Sequence, residues 1–389
     1  MILAFLLLAQ GDVFVSGQDG YHTYRIPAAI VAPKGTLLAF AEGRRKGRSD
    51  TGDIDLVLRR SSDGGATWGP LQVVWDDGAN TCGNPCPVVD RDTGTVWLLM
   101  TRNAGEDLES KIIDGTSKET RTVWVCRSTD DGATWSAPVE ITGSVKRPSW
   151  TWVATGPGVG IQMKNGRLVV PADHVESGTK KGGSHVFWSG DHGATWTLGG
   201  TAGSGVNECQ VVERADGSLL MNMRNWHSPS RERAVASSAD GGATWSELRH
   251  DAALIEPVCQ ASVLRLSWEP SRILFSNPAD RKNRVRMTIR LSRDEGETWS
   301  TVKELGEGPG AYSCLAVLPG GGETVGRVRV NNPMRYIGTM ADESVILRVW
   351  PSEEKPFFFW REKFEFQPTD GDVSSLIADT LALGLEPEK

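Results

Sequence analysis

Apolar and polar residues alternate along this chain in short runs, each closed by a turn rich in glycine, aspartate or asparagine. A period of two marks half-buried β-strands. The runs come in pairs. One set of pairs turns on glycine: Arg25 to Ala32 with Thr36 to Ala41, Cys86 to Asp90 with Val96 to Thr101, Val159 to Met163 with Arg167 to Pro171, Gln210 to Arg214 with Ser218 to Met223, Val258 to Leu266 with Arg272 to Ser276, and Ser313 to Leu318 with Val325 to Val330. The other set turns on an eight-residue phrase, Ser-x-Asp-x-Gly-x-Thr-Trp, which recurs five times: Ser61–Trp68, Ser128–Trp135, Ser189–Trp196, Ser238–Trp245 and Ser292–Trp299. A β-rich run precedes each Ser (Ile54 to Arg60, Arg121 to Arg127, Ser184 to Trp188, Arg233 to Ser237, Val285 to Leu291), and another follows most of the Trp residues (Leu71 to Trp75, Pro138 to Thr142, Thr301 to Leu305).

The phrase is therefore a hairpin turn. Asp bonds the amides of its own turn, Gly takes a positive φ, and Trp re-enters the packed layer. Repeats at intervals of tens of residues make a solenoid, a propeller or an array. Four strands per unit and six countable units predict an all-β, six-bladed β-propeller of four-stranded antiparallel blades. The sixth unit lacks the phrase, and Asp12 to Ser16 is expected to supply its missing strand and close the ring. The propeller is expected over residues 12–366, after a truncated signal or N-terminal segment (1–11) and before a polar tail (367–389).

Composition agrees with this reading. Among 389 residues there are 44 glycines and 15 tryptophans, and long amphipathic helical patterns are nearly absent. A net charge of −7 argues against a nucleic-acid partner and requires local arginines for any anionic ligand. The six cysteines mostly sit in apolar strand-like runs and read as buried free thiols, with Cys82 and Cys86 the one close pair. No spacing suggests zinc, and no metal or cofactor is expected. The apolar run Ile2 to Ala9 is too short to span a membrane, and no Lys or Arg precedes it. It reads as a signal remnant or a first strand. Secretion or a periplasmic location is expected, with a cytoplasmic or lysosome-like compartment as the alternative, and a monomer is expected.

In an up-and-down blade, the turns joining strands one and two and strands three and four lie on one face. The links from strand two to three, and to the next blade, lie on the other. The repeated phrase is a three–four turn in every copy, so it lies opposite the linking loops. The polar residues where first strands begin are Arg25, Asn84, Glu208, Glu256 and Tyr312. Glu208, Glu256 and Tyr312 follow the preceding phrase's Trp by twelve, eleven and thirteen residues, so they are equivalent positions ringing one face. Arg44, Asp50, Arg102, Arg224 and the basic run Arg281 to Arg290 fall at or after the ends of second strands, on that same face. An acidic protein that collects arginines in one place is suited to a carboxylate ligand, because guanidinium forks match carboxylates bidentately.

At these residues the chain resembles the sialidases (exo-α-neuraminidases). Tyr24-Arg25-Ile26-Pro27 is similar to their Arg-Ile-Pro signature, and the repeated phrase is similar to the sialidase Asp-box. Asn84-Pro85-Cys86-Pro87, Gly156-Pro157-Gly158, Asn207-Glu208-Cys209-Gln210 and Ala311-Tyr312-Ser313 follow in family order, over roughly residues 12–318. The resemblance implies that Arg25, Arg224 and Arg284 clamp a sialic acid carboxylate. It implies that Tyr312 is the nucleophile, Glu208 its base partner and Asp50 the acid/base, with Asp53 and Asp55 as competitors for the last role. Arg44, Asn84 and Trp152 would contact the sugar. Trp150 and Asp173-His174 would shape the pocket for its N-acyl or glycerol arms. Glu256 has no role by this resemblance and reads as a structural hydrogen-bonding group.

The implied activity is hydrolysis of terminal α-ketosidically linked sialic acids from glycoproteins, glycolipids or oligosaccharides, with retention and a mildly acidic optimum. The alternatives are a trans-sialidase and a catalytically silent sialoglycan-binding propeller; a lectin has no need to keep Tyr312, Glu208 and Asp50 together. Past about Leu318 the family pattern fades. Val328 to Trp350 lacks the expected Tyr-Glu pair, Phe357 to Trp360 is a possible closing strand, and Glu323 and Glu343 are the candidates for an acidic partner of Arg25.

Overall fold

A computed structural model describes residues 13–227, 229–305, 307–318, 325–327, 344–349 and 360–362. The fold is a β-propeller. Five units follow the expected plan of four antiparallel strands in sequence order. The first is Thr23–Val31, Leu37–Arg44, Ile54–Ser61 and Gln72–Trp75; the second is Thr81–Asp90, Thr95–Asn103, Thr122–Ser128 and Val139–Glu140. The third comprises Ile161–Gln162, Leu168–Glu176, Gly182–Ser189 and Thr197–Ala202, with an added strand, Trp150–Thr155, paired to Leu168–Glu176. The fourth is Val206–Glu213, Leu219–Asn225, Glu232–Ser238 and Arg249–Ile255; the fifth is Ser262–Ser267, Arg272–Pro278, Met287–Ser292 and Ser300–Glu304. First strands of successive units pack on one another, and Tyr312–Val317 packs against Thr23–Val31, which brings the two ends of the ring together. The core is the stack of these sheets, with Leu, Val, Ala and Phe side chains fully buried between them.

Two expectations fail at the seam. Residues 13–16 form bends and a turn, not a closing strand, although Val13 and Phe14 are buried against Tyr21 and Tyr24. Two apolar side chains are enough to seal the seam without a ladder. The partner of Tyr312–Val317 is Ser344–Val349, not the stretch beginning at Val325. Ser344–Val349 carries an unbroken Val-Ile-Leu run that suits a strand, whereas Val325–Arg327 contains a glycine. Val325–Arg327 pairs instead with Trp360–Glu362, and touches Ser344–Val349 in parallel. Glu323, Glu343, residues 1–12, 357–359 and the tail from 367 lie outside the described residues. All six cysteines are free and buried. Among the described residues no helix is long and apolar enough to cross a membrane; the helices are two short ones, Glu109–Asp114 and Thr142–Val145.

The repeated turn has a second task. Its Asp accepts from the Thr amide and hydroxyl in each copy, as at Asp130 with Thr134 (2.9 and 2.6 Å), and its Ser hydroxyl accepts from the Gly amide (2.8 Å at Gly132). The residue after the Asp is left-handed in every copy: Gly64, Asp131, His192, Gly241 and Glu295. Glycine suits that conformation best, yet three copies carry side chains, and each reaches the one–two turn of the preceding unit. Asp131 accepts from the Lys34 amide (3.1 Å) and the Thr36 hydroxyl (3.2 Å), His192 meets Asp90 (3.0 Å), and Glu295 accepts from the Ala215 amide (2.9 Å). In the fourth unit the reach is reversed: Arg167 donates to the carbonyl of Gly241 (3.1 Å). The phrase latches neighbouring units together on one face.

Candidate active site

The opposite face carries a cavity of about 340 Å³ at the axis. No residue of the repeated turns lines it. Its walls include Arg25, Arg44, Asp50, Asn84, Trp152, Glu208, Arg224, Arg284 and Tyr312, so the residues that the resemblance gives to catalysis, to the carboxylate clamp and to sugar contact meet in one place. First-strand bulges aim several of them. The ladder slips between Arg25 and Ala28, between Gly83 and Cys86, and between Val206 and Cys209. Ile26 and Asn84, each followed by proline, take a positive φ (56° and 54°). For a β-branched residue such as Ile26 this is a strained conformation, and bulges of this kind re-aim neighbouring side chains.

On one wall, Tyr312 donates its hydroxyl to Glu208 Oε1. Arg224 Nη1 donates to Glu208 Oε2 (2.6 Å) and lies 3.3 Å from the Tyr312 oxygen. Burial, reinforced by the Glu208 carboxylate and opposed by Arg224, pushes the Tyr312 hydroxyl well above its ordinary pKa. Arg284 donates to the Val258 carbonyl (3.0 Å), with its guanidinium carbon 5.7 Å from the Tyr312 ring centre. On the facing wall, Asp50 Oδ1 lies 2.7 Å from Arg25 Nη1 and 2.9 Å from Arg44 Nη2. Arg44 is buried. It also binds Glu42 (2.6 Å) and the carbonyls of Arg48 (2.6 Å) and Ser49 (2.7 Å), so it fixes the loop that carries Asp50. Burial raises the Asp50 carboxyl, but Arg44 and Arg25 outweigh that and hold it below its ordinary value.

The competitors for the Asp50 role are committed elsewhere. Asp53 pairs with Arg45 (3.1 Å), and Asp55 is buried against Tyr21 and Arg45 (both 2.6 Å). Arg102 pairs with Asp77 and Glu119 and lines no part of the cavity. Of the basic run, only Arg284 reaches it; Arg281 and Arg286 bind Glu232 and Glu304 near the surface. Glu256 is fully buried and holds Arg233 (2.7 Å) and the Asn225 amide (2.6 Å). Trp150 and His174 do not line the cavity. They stack on one another (3.7 Å between ring centres) in the core behind it, with His174 beside His185.

Several residues of the site were not singled out from the sequence. Glu42 accepts the Asn84 amide (2.9 Å) as well as Arg44. Arg121 binds Asn84 Oδ1 (2.7 Å), lies 4.1 Å above the Trp152 ring, and has an Nε with no partner. Asp173, which the resemblance did name for the pocket, lines the cavity; it is 3% exposed, its carboxyl has no side-chain partner among the described residues, and burial, with help from Glu208 and Glu109, pushes that carboxyl well above the ordinary range. Glu109, Asn207 and Trp226 complete the polar and aromatic lining. One signal was available for two of these: Glu42 is a charged residue inside the fully buried strand Leu37–Arg44, and Arg121 stands just before a third strand, whose start lies on the same face as the second strand's end. Five arginines and five carboxyl groups line the cavity, and burial disfavours the charged form of one of the carboxyls, Asp173. No metal-ligand cluster lies in it; the one candidate group among the described residues, Asp90, Asp92 and His192, is on the latch face and is already bridged by Gln162 Nε2 (2.9 Å to each aspartate).

The family model for BNR repeat-like domains matches residues 35–330. A sialidase of Bacteroides fragilis is 35% identical over 335 residues, covering 80% of this chain and 60% of that protein. An exo-alpha-sialidase of Aspergillus fumigatus is 38% identical over 296 residues, 71% and 69% of the two chains, and mouse sialidase-2 is 33% identical over 329 residues, 77% and 85%. This chain thus spans only about three fifths of the bacterial relative. Among solved structures, a Hadza microbial sialidase superposes with a TM-score of 0.76 at 31% identity, over 91% of this chain and 68% of that one. The Trypanosoma rangeli sialidase, at 20% identity and a TM-score of 0.70 over 93% and 57% of the two chains, shares the fold.

Proposed function

The chain belongs to the BNR-repeat sialidase family, and on that premise we propose that it is an exo-α-sialidase that releases terminal sialic acids from glycoconjugates with retention at the anomeric carbon. The observation that carries the reading is the Tyr312–Glu208–Arg224 cluster sharing an arginine-lined cavity with Asp50.

Arg25, Arg224 and Arg284 clamp the substrate carboxylate. That carboxylate sits on the reacting carbon itself, so an attacking carboxylate would meet like charge, whereas a phenol is neutral until its proton leaves. Tyr312 is buried and a poor acid; Glu208, already accepting its hydrogen bond, takes the proton as the oxygen attacks C2. The C2–O bond to the leaving group breaks, and Asp50 gives its proton to the departing oxygen. Water then attacks C2 of the tyrosyl intermediate, Asp50 takes the water proton, and Tyr312 leaves with the proton held by Glu208. Two displacements give retention. Arg44 holds the Asp50 loop, and Asn84 and Trp152 form the wall that meets the sugar.

The test is release of a fluorophore from a 2-α-sialoside by the unaltered protein, Tyr312→Phe and Asp50→Ala. The reading expects turnover by the first, and none above background by Tyr312→Phe. Binding of sialosides without release would make the protein a sialoglycan-binding propeller, and transfer to an added glycan in preference to water would make it a trans-sialidase.

A further inference from the structure

Glu256 shares a ring position with Glu208 and Tyr312, yet it lines no part of the cavity. Its side chain is fully buried beside the chain segments that carry Arg224 and hold Arg284.

Both of its oxygens are committed to those segments. Oε1 accepts the amide of Asn225 (2.6 Å), the residue that follows Arg224. The pairing of the strand Leu219–Asn225 with Glu232–Ser238 stops at Met223, so this carboxylate meets the Asn225 amide beyond the end of that ladder. Oε2 accepts the amide of Cys259 (3.3 Å) and closes the turn Glu256-Pro257-Val258-Cys259. Within the turn Val258 is left-handed (φ 55°), a strained conformation for a β-branched residue that persists only where the surroundings impose it. The carbonyl of that same Val258 is the rest for Arg284 (3.0 Å). Arg233, also fully buried, locks the arrangement. Its Nη1 donates to Glu256 Oε2 (2.7 Å) and to the Cys259 carbonyl (2.6 Å), and its Nε donates to Asn222 Oδ1 (2.7 Å) on the strand that carries Arg224.

We propose that Glu256 is a positioning residue for the carboxylate clamp, tying the backbone next to Arg224 to the turn on which Arg284 rests. The inference rests on the sialidase reading, in which those two arginines share one substrate carboxylate. Arg224 belongs to the fourth unit, and Arg284 lies in a link of the fifth. One buried carboxylate sets the spacing between them. Placement matters because a shift of about 1 Å in a positioning group costs heavily in function. Without Glu256 the Asn225 and Cys259 amides lose this acceptor, and Val258 loses the bond that closes its turn. Glu256 thereby acts on recognition of the carboxylate without touching it.

Two variants separate position from stability. Glu256→Met with Arg233→Leu removes both charges together with the cost of burying them, so the chain should fold, and it leaves both amides without this acceptor. Glu256→Gln keeps the volume, but a side-chain amide accepts on one side only, so its NH2 group meets a donor on the other. Calorimetric titration uses a 2,3-didehydro sialic acid analogue and its methyl ester, which differ only in the group that the clamp holds. The unaltered protein should prefer the acid. The double variant should bind the acid about tenfold more weakly, and the ester less than about twofold more weakly. Glu256→Gln should lose about threefold on the acid, the scale of one backbone hydrogen bond. Equal losses on the two ligands, or an undiminished preference for the acid in either variant once its thermal midpoint shows it folded, would overturn the positioning role. An unaltered protein that does not prefer the acid would remove the carboxylate clamp itself, and the sialidase reading with it.

Discussion

Arg25 and Asp50 are ion-paired at 2.7 Å, so the guanidinium proposed to clamp the substrate holds a carboxylate of the protein itself. Arg44 and Arg25 favour the ionised form of an Asp50 bound in this way, against the opposing effect of burial, so it lacks the proton that the leaving oxygen needs. A substrate carboxylate arriving at Arg25 competes for that contact. Asp50 then keeps Arg44 but loses Arg25, and its pKa rises in the complex. The profile of kcat/KM reports the free enzyme and that of kcat the complex. The alkaline fall of kcat/KM should therefore begin at lower pH than the fall of kcat. Coincident limbs would show that Asp50 stays on Arg25 during the reaction.

Asp50→Ala should depend on the leaving group. An alcohol needs the proton, and its loss should lower kcat/KM for sialyllactose by about 10²–10⁴-fold. An aryl leaving group departs as a stable anion, and the defect on an aryl sialoside should be several-fold smaller. Steady-state rates on the two substrates give the comparison, and equal defects would remove Asp50 from the acid role.

Tyr312→Phe keeps the ring and removes the oxygen. The Glu208–Arg224 pair (2.6 Å) holds that wall without it, so the variant should fold and still bind a sialic acid analogue. Turnover should fall by about 10³-fold or more, and Glu208→Gln by about 10²–10⁴-fold. Peptide mapping after a 2,3-difluorosialic acid should find the sugar on Tyr312 in the unaltered protein and on no residue of Tyr312→Phe.

Glu256 occupies a position equivalent to Glu208 and Tyr312 in the ring, yet belongs to the core. It and Arg233 are both essentially unexposed. Removing one partner leaves a buried charge alone, so Glu256→Ala should lower the unfolding free energy by about 3–5 kcal/mol. Urea denaturation would show this as a lower midpoint. Glu256→Met with Arg233→Leu should recover much of it, because the desolvation of both charges is removed together.

Phase explains what could be read from the sequence and what could not. Period-two runs locate most strands of five units, though not Trp150–Thr155, Thr197–Ala202 or Arg249–Ile255, and counting from the Trp of each repeat brings Glu208 and Tyr312, 104 residues apart in sequence, to one wall. Sequence leaves Asp53 and Asp55 as competitors of Asp50, and it is the structure that sets them apart by placing both on Arg45. Phase counting covers strand starts and ends that repeat. It does not reach Glu109, which sits on an insertion found in one unit, or Glu42, whose importance lies in a contact across units to Asn84, or Arg121, whose importance lies in its contact with Asn84 within one unit. The seam was misread for a related reason. Val325 begins a run as strand-like as any other in isolation, and only competition with the more β-branched Ser344–Val349 decides which one pairs with Tyr312–Val317.

The Glu295 latch between units makes the fold acid-sensitive. It accepts from Arg265, from the Ser271 hydroxyl and from the Ala215 amide, and it does so from a left-handed backbone (φ 62°). Burial raises its carboxyl, but these donors prevail and bring it down to about 2. A folded pKa depressed below the unfolded one contributes stability that is fully present above the unfolded value, about 4.5, and is lost as pH falls through about 2. That contribution is on the order of 2–3 kcal/mol. Glu295→Ala keeps the strained backbone and loses the donors' partner, so it should be less stable at neutral pH by about that amount. The difference from the unaltered protein should shrink as pH falls from 4.5 towards 2, where the native carboxyl is protonated too. Thermal unfolding of both proteins across that range reads the convergence. A constant gap would show that Glu295 acts through packing and not through its charge.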